Sequence, residues 1–158
     1  MTDSERVIAV HEALAAAAIP HAIGGARALS FYAAARETED IDVNVFVPSE
    51  RRAEVEEALA PLGAGDPVHL FFSEDALHEA MPAAVRVVPF GDTTIPIVSP
   101  EHLVIRKAML DRPKDWRDVE AILIATDPLD VEEIEAWLQR LAGEDDPRLT
   151  RFRQLAGR

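Results

Sequence analysis

Two aspartates, Asp40 and Asp42, have the residue type and the spacing of a metal site. They stand in the sequence RETEDIDVNVFVP, residues 36–48, called the acidic segment below, where an alternating apolar pattern predicts a strand from Ile41 to Val47. Side chains two residues apart on a strand point to the same face, about 6–7 Å apart. Carboxylates at that spacing repel each other unless a cation lies between them, and Mg²⁺ suits their oxygens. Taken alone, the pair is also explained as a solvated strand end.

A glycine pair, Gly24-Gly25, precedes the aspartates by about 15 residues and adds to the argument. The pair lies where a short predicted strand, HAIGG, meets a predicted helix, ARALSFYAAA. Backbone N–H groups and the helix dipole favour a phosphate at such a junction, although a tight turn alone also explains two glycines. In this order, a phosphate site and a metal site lie on neighbouring strands. Transfer of a nucleotide from a metal-bound triphosphate requires that arrangement.

The stretch GGARALSFYAAARETEDIDVNV resembles the signature of the polymerase-β-like nucleotidyltransferase superfamily, in which a Gly-Gly or Gly-Ser helix start precedes an Asp-x-Asp strand. Its spacing is most similar to that of minimal bacterial members, which include aminoglycoside nucleotidyltransferases and abortive-infection-type toxins of toxin–antitoxin systems. The later stretch SPEHLVIRKAMLDRPKDWRDVEAIL is similar to the toxin branch. Together the two segments span about residues 24–123, most of the chain.

The resemblance implies a role for six residues and a nucleoside triphosphate (NTP) as substrate. The glycines would hold the triphosphate through backbone amides, and the two aspartates would bind one or two Mg²⁺ (or Mn²⁺) ions. A helical lysine would neutralise phosphate charge, and a later aspartate would assist catalysis. In that order these residues are Gly24, Gly25, Asp40, Asp42, Lys107 and Asp115. Ion pairs between helices and sheet are the alternative explanation for three further motif positions, Arg36, Arg112 and Asp118.

The chain departs from the family pattern at one point. Many members supply a third carboxylate from a later strand, and here the expected position falls on Val87 or Val88. Asp92 follows, but it lies in a predicted turn. Because the third acid commonly binds metal or takes a proton, two possibilities stay open. Either Asp115 takes its place, or the protein binds nucleotide without efficient transfer.

Composition limits the classes of function. The length of 158 residues, with 48% hydrophobic and 28% charged residues, predicts one globular domain. It has no cysteine, which excludes disulfides and thiolate zinc sites. No apolar run approaches the ~20 residues of a membrane helix, and the first residues resemble a helix rather than a signal peptide. We therefore expect a cytoplasmic protein without a membrane partner. A net charge of -13 disfavours a bare nucleic-acid surface.

Predicted elements alternate between strand and helix over two thirds of the chain and are helical thereafter. They indicate an α/β (α+β) fold: a small mixed β-sheet with flanking helices and a helical C-terminal part. We expect residues 1–98 to form the nucleotidyltransferase-like core and residues 99–158 to pack on the same domain. Ser4 is the expected first helix cap, ARALSFYAAA the second helix, and Gly91-Asp92 the turn of a hairpin near a sheet edge.

The leading hypothesis is a Mg-dependent nucleotidyltransferase that moves a nucleoside monophosphate (NMP) from an NTP to an acceptor. The acceptor is a small molecule, a protein or an RNA, and a toxin or antitoxin partner is expected for the toxin-like branch. The alternative is a catalytically degenerate nucleotide-binding or protein-interaction module of a toxin–antitoxin-like system. A weaker third hypothesis is an antitoxin-like component that acts on a protein partner.

Overall fold

The computed structural model describes residues 1–34, 37–38, 40–63 and 68–158. Arg36 and Glu39 of the acidic segment lie outside the described residues. The strands are β1 (His21–Ile23), β2 (Ile41–Val45), β3 (Val68–Phe72), β4 (Arg86–Phe90) and β5 (Thr93–Ile97). The α-helices are α1 (Asp3–Ala16), α2 (Gly25–Leu29), α3 (Arg52–Leu59), α4 (Ala76–Ala80), α5 (Pro100–Leu110), α6 (Pro113–Ala125), α7 (Val131–Ala142) and α8 (Pro147–Leu155).

The five strands form one mixed sheet in the order β3-β2-β1-β5-β4. Strand β1 pairs antiparallel with β2 and parallel with β5, β2 pairs parallel with β3, and β4 pairs antiparallel with β5. The mixed sheet with α-helices confirms the expected fold class. Strand β4 is one edge of the sheet and β3 is the other, so β1 and β5 separate β4 from the aspartate-bearing strand β2.

The described chain divides into two compact units. Unit 1 consists of Met1–Arg27 and Glu37–Val98 and contains the whole sheet, and unit 2 consists of Ala28–Arg36 and Ser99–Arg158 and contains α5 to α8. One face of β2 belongs to the core of unit 1, where Ile41, Val43 and Val45 are fully buried. Among the described residues, none of the helices combines the length and the apolar character needed to cross a membrane.

Local sequence signals predicted several elements correctly. The hairpin of β4 and β5 turns at Gly91-Asp92, as the sequence indicated. Helix α5 begins after Ser99, whose hydroxyl accepts a hydrogen bond from the His102 N–H at 3.2 Å, and proline occupies its first turn. A side-chain cap and a proline in the first turn are sufficient to define a helix start without tertiary information.

Two helix predictions are wrong. Thr2, not Ser4, caps α1, because the Thr2 hydroxyl accepts a hydrogen bond from the Glu5 N–H and the Glu5 carboxylate accepts one from the Thr2 N–H. The helix predicted over ARALSFYAAA ends at Leu29, and turns follow it. Alanine and leucine favour a helix, but propensity is a weak signal that tertiary context overrides.

Unit 2 contains a buried network of charged side chains on α5 and α6. The Lys107 ammonium lies 2.7 Å from Asp118 Oδ2 and 4.0 Å from Asp115 Oδ1, and all three side chains are buried. Arg112 completes the network, because its Nε donates to Asp115 Oδ2 at 2.6 Å. The formal charges of the four side chains cancel, so the network satisfies the condition for burying charge. Ion pairing, the alternative explanation for Arg112 and Asp118, is thus observed: Asp118 of α6 pairs with Lys107 of α5, and Arg112 pairs with Asp115 at the start of α6.

The network predicts a large effect of removing its lysine. Lys107→Met leaves two carboxylates buried without their shared cation, and we expect a loss of about 3–5 kcal/mol in the free energy of unfolding. The double variant Lys107→Met/Asp118→Leu should recover much of that loss, because an apolar pair avoids the cost of burying a lone charge. Urea unfolding of the two variants and of Asp118→Leu measures the coupling. Additive losses would contradict the network.

Two buried histidines predict that the protein loses stability in mild acid. Burial lowers the pKa of His21 and the pKa of His102 below the ordinary 6.5, although Glu133 opposes the shift at His102. A lowered folded-state pKa means that the unfolded chain takes up protons first. The stability contributed by the neutral rings is therefore complete above pH 6.5 and is lost as pH falls through the folded-state pKa values. His21→Asn/His102→Asn should reduce the pH dependence of urea unfolding below pH 6.5, and an unchanged dependence would contradict this origin.

Candidate functional site

The end of β1 and the start of β2 approach each other through residues without side chains. The Gly24 N–H donates to the carbonyl oxygen of Asp42 at 2.9 Å and so continues the sheet one residue beyond β1. Gly25 begins α2 with φ at +58°, a conformation that residues with a β-carbon rarely adopt. A β-carbon at Gly25 would stand 2.8 Å from the carboxyl carbon of Asp42 and closer still to its Oδ2. Glycine at this position therefore leaves the space that the Asp42 carboxylate occupies.

Two residues further along β2, Asn44 lies against Gly24 as Asp42 lies against Gly25. A β-carbon at Gly24 would stand 2.6 Å from Asn44 Nδ2, so this glycine too is required by a polar side chain of β2. Asn44 is buried, and its Oδ1 lies 2.8 Å from Nε2 of His78 on α4, which is also buried. A buried polar pair with a fixed hydrogen bond holds α4 against this face of the sheet. The polar face of β2 is thus covered at Asn44.

Arg27 holds the segment that carries Asp40. Its Nε donates to the carbonyl oxygen of Asp40 at 2.9 Å, and its Nη2 donates to the carbonyl oxygen of Thr38 at 3.4 Å. The same guanidinium pairs with Asp3 on α1, where Nη2 lies 2.8 Å from Oδ1 and lowers the pKa of that carboxyl. The Thr38 hydroxyl in turn accepts a hydrogen bond from the Asp40 N–H at 3.2 Å. Asp40 therefore directly precedes β2 in a segment anchored through its backbone.

A histidine lies beside the Asp42 carboxylate on the other neighbouring strand. Asp42 and His69 are register partners in the parallel pair β2–β3, and His69 Nδ1 stands 3.5 Å from Asp42 Oδ1. The exposed fractions of the two side chains are 28% for Asp42 and 51% for His69. The face of β2 that is covered at Asn44 is therefore open at Asp42. Of the predicted site residues in unit 1, the structure brings Gly24, Gly25 and Asp42 together.

The donor chemistry at this opening fits a hard divalent cation. Asp42 presents a partly exposed carboxylate, and Asp40 precedes it by two residues. Mg²⁺ is commonly held by one or two carboxylates and completes its octahedron with water and substrate phosphates. No group of three or more acidic, histidine or cysteine side chains among the described residues could hold a metal ion by itself. A site with Asp40 and Asp42 would therefore require oxygens from the substrate and water.

The remaining predicted residues belong to unit 2 or to the edge strand β4. Lys107 and Asp115 belong to the buried network of unit 2, and their predicted roles toward phosphate and catalysis stay predictions. Val87 and Val88, where the third carboxylate was expected, are on the edge strand β4, and the Val87 side chain is exposed. A carboxylate at either position would be separated from β2 by β1 and β5.

The sequence analysis did not identify Arg27, Asn44, His69 and His78 as residues around Asp42. Their partners are 11 to 34 residues away in the sequence or on another strand, so no local pattern marks them. The stretch VHLFF does not mark His69 either, because Phe71 lies on the same side of the strand as His69. The order of strands in the sheet determines which strand lies beside β2, and that order cannot be read from sequence periodicity.

Three of the solved structures that match the chain cover 88% to 98% of it. They are the solution structure of the antibiotic-resistance factor ANT(2'')-Ia (TM-score 0.55, 22% identity, 88% of this chain and 94% of that chain) and the crystal structure of ANT(2'')-Ia with adenylyl-2''-tobramycin (0.59, 18%, 98% and 98%). The third is an antigenic nucleotidyltransferase-like protein from Paracoccidioides brasiliensis (0.57, 15%, 96% and 93%). No protein-family model and no curated protein matches the chain. The chain therefore has a nucleotidyltransferase-like fold, as the sequence resemblance implied.

Proposed function

We propose that the protein is a nucleotidyltransferase that transfers an NMP from an NTP to a hydroxyl-bearing acceptor. The observation that carries the proposal is the close approach of Gly25 and Asp42, in which a side-chain-free helix start leaves room for a carboxylate. The combination supports the proposal because it places a partly exposed acid at a helix start that has no side chain. The nucleotidyltransferase-like fold supports it independently.

The proposed chemistry divides between a cation and the chain. Mg²⁺ (or Mn²⁺), held by Asp40 and Asp42 when bound, would supply positive charge to the triphosphate. The Gly24 N–H already donates to the Asp42 carbonyl oxygen, so the proposal assigns the triphosphate to Gly25, which lets the Asp42 carboxylate lie against the start of α2. Arg27 would hold the Asp40 backbone in place. The acceptor hydroxyl would attack the α-phosphorus and lose its proton to solvent, and the bond from that phosphorus to pyrophosphate would break, so pyrophosphate would leave with the electron pair. Such reactions depend mainly on positioning and charge stabilisation.

The proposed roles of Lys107 and Asp115 depend on a change in their present ion pairs. Lys107 would neutralise phosphate, and Asp115 would assist catalysis, only if the buried network of unit 2 exchanged partners. In the described structure the Lys107 ammonium is already 2.7 Å from Asp118 Oδ2. Lys107→Met would then reduce both stability and transfer, so activity loss in that variant alone does not demonstrate a catalytic role.

The proposal extends to the acceptor and the setting. A cationic acceptor suits a chain with a net charge of -13, and a small molecule or a protein suits it better than RNA. ANT(2'')-Ia was solved with an adenylylated aminoglycoside, which makes tobramycin a suitable first probe. We propose a cytoplasmic location, ATP among the NTPs to test first, and a toxin–antitoxin setting with a protein partner.

A degenerate nucleotide-binding or protein-interaction module is the second candidate. One observation favours it: Val87 and Val88, where the third carboxylate was expected, are apolar residues on the edge strand β4. To separate the two candidates, we would incubate the protein with each α-labelled NTP, with and without Mg²⁺, in a cell lysate and with tobramycin. Labelled product supports the transferase. Calorimetric binding of Mg–ATP without labelled product supports the module.

Asp42→Asn should abolish transfer of label while leaving the fold intact. The substitution keeps the size of the side chain but removes the charge that would bind the cation. The measurement is the rate of label transfer, with circular dichroism to check folding. Asp92→Asn, in the exposed β4–β5 turn, is the matched control and should transfer at the wild-type rate. Full activity of Asp42→Asn would disprove the proposed function.

Gly25→Ala should weaken Mg–ATP binding measured by calorimetry. The added β-carbon would displace the Asp42 carboxylate, because it would stand 2.8 Å from the carboxyl carbon. Gly91→Ala is the matched control: Gly91 has φ at +59°, close to the +58° of Gly25, but its nearest atom would be Ile8 Cδ1 at 3.6 Å. The two variants share the backbone strain, about 1–2 kcal/mol, and differ in the clash. Equal binding by both variants would contradict the importance of the close approach.

A further inference from the structure

The first turn of α1 is connected to the candidate cation site through one arginine side chain. Arg27 on α2 donates through Nη1 and Nη2 to the two carboxylate oxygens of Asp3, with Nη2 at 2.8 Å from Oδ1. The same guanidinium donates through Nε to the carbonyl oxygen of Asp40 at 2.9 Å. Because a guanidinium is planar and its donors have fixed relative directions, the position of Asp3 defines the direction of Nε. Asp3 therefore acts on the backbone at Asp40, although the two residues are far apart in the sequence.

The Arg27 side chain is a well-ordered link between the two places. Its exposed fraction is 11%, whereas that of the Asp3 side chain is 59%. The position of Asp3 is itself fixed, because the reciprocal hydrogen bonds of Thr2 and Glu5 order the first turn of α1. A bidentate pair of a guanidinium and a carboxylate restricts the orientation of both groups. The link therefore runs from an ordered helix start to the backbone that carries Asp40.

Asp40 depends on this link in a way that Asp42 does not. Asp42 lies within β2, where pairing with β3 fixes its backbone, and Asp40 precedes the first paired residue of that register. The Asp40 carbonyl oxygen accepts from Arg27 Nε, and the Asp40 N–H donates to the Thr38 hydroxyl at 3.2 Å. The Thr38 carbonyl oxygen in turn accepts from Arg27 Nη2 at 3.4 Å. Arg27 thus contacts the backbone of Asp40 and of the residue that binds the Asp40 N–H.

We propose that Asp3 is a positioning residue for the cation site and acts through Arg27; this rests on the proposed function. A cation shared by Asp40 and Asp42 requires the two backbones at a fixed separation. Asp3 keeps Arg27 Nε directed at the Asp40 carbonyl oxygen, which reduces the conformational entropy that Asp40 loses when the cation binds. The role is to strengthen cation binding, and the transfer step itself does not involve Asp3.

Asp3→Ala tests the role of the carboxylate in the binding of Mg–ATP. Calorimetry should show binding about threefold weaker than in the wild type, a small effect because an ion pair with an exposed partner contributes little. The matched control is Glu54→Ala, which removes the bidentate ion pair of Arg51 and Glu54 at 2.7 and 2.9 Å, also in unit 1. The control should bind Mg–ATP like the wild type. Equal weakening by both variants would overturn the proposal, because loss of any surface ion pair would then have the same effect.

Arg27→Gln and Arg27→Met separate the hydrogen bond to Asp40 from the ion pair with Asp3. Gln has a nitrogen donor at the position of Nε along the side chain, Met has a methyl group there, and neither forms the ion pair. Arg27→Met should weaken Mg–ATP binding about 10-fold, the lower end of the usual effect of losing a group that orients a metal ligand. Arg27→Gln should bind like Asp3→Ala. Equal binding by the two Arg27 variants would contradict a path through the Asp40 carbonyl oxygen.

The double variant Asp3→Ala/Arg27→Met tests whether Asp3 acts through Arg27. It should bind Mg–ATP as Arg27→Met does, because Asp3 then has no guanidinium to orient. Two residues that act through one contact show such non-additive effects, whereas independent residues show additive ones. An additive loss in the double variant would overturn the path through Arg27.

Amide hydrogen exchange tests the link in the protein without metal or nucleotide. In Asp3→Ala and in Arg27→Met the Asp40 N–H should lose protection relative to the wild type. The Gly24 N–H, which donates to the Asp42 carbonyl oxygen at 2.9 Å, is the internal reference and should keep its exchange rate. Unchanged exchange at Asp40 in both variants would overturn the proposal, because the backbone there would not depend on Asp3.

Label transfer at varied Mg²⁺ concentration separates this proposal from the proposed function. Asp3→Ala should need about threefold more Mg²⁺ for half-maximal transfer and should reach the wild-type maximal rate in excess Mg²⁺. A wild-type protein that neither binds Mg–ATP nor transfers label would overturn both proposals. A wild-type protein that transfers label, with the same Mg²⁺ dependence in Asp3→Ala, would overturn the role of Asp3 alone. A lower maximal rate of Asp3→Ala in excess Mg²⁺ would also overturn it, because the residue would then affect the transfer step.

Discussion

The close approach between the end of β1 and the polar face of β2 is the constraint on which the site depends. Because Gly24 and Gly25 have no β-carbon, Asn44 and Asp42 can lie against the backbone of β1. The hydrogen bond from the Gly24 N–H to the Asp42 carbonyl oxygen keeps the two backbone segments at the spacing of neighbouring strands. Larger residues at positions 24 and 25 would push the two backbone segments apart or displace the side chains of Asn44 and Asp42. The two glycines are therefore needed because they leave space for the Asn44 and Asp42 side chains. Gly25 is needed for a second reason, its positive φ, which other residues rarely adopt.

The two faces of strand β2 have different environments. One face contributes Ile41, Val43 and Val45 to the core, which fixes the register of the strand, since a slip of one residue would bury the polar set. The other face changes along its length from the buried Asn44–His78 pair to the partly exposed Asp42. The buried, hydrogen-bonded Asn44–His78 pair thus supports the strand next to the partly exposed Asp42 carboxylate, as a site that holds its side chains in place requires.

The parts of the structure that sequence predicted are those determined by local chemistry. The cap at Ser99, the turn at Gly91-Asp92 and the strand VHLFF each depend on a few adjacent residues. The length of α2 was overestimated because helix propensity says nothing about where the chain must leave a helix to reach β2.

The parts of the site that sequence did not predict depend on long-range pairing. The order of the strands decides that position 69, rather than position 87, lies beside Asp42. The network around Lys107 required the side-by-side packing of α5 and α6, which the motif match alone did not show. Asp40, Asp42 and the glycine pair could be proposed from sequence because their spacing is itself the signal.

The position of β3 at the edge of the sheet has an evolutionary consequence. Position 69 pairs with β2 on one side, and its side chain is mostly in solvent, so exchanging that side chain costs the fold little. Selection can therefore change the side chain at this position without first compensating for lost stability. A fold of this kind can diversify its chemistry at an edge strand while the glycines and the buried face of β2 keep the architecture constant.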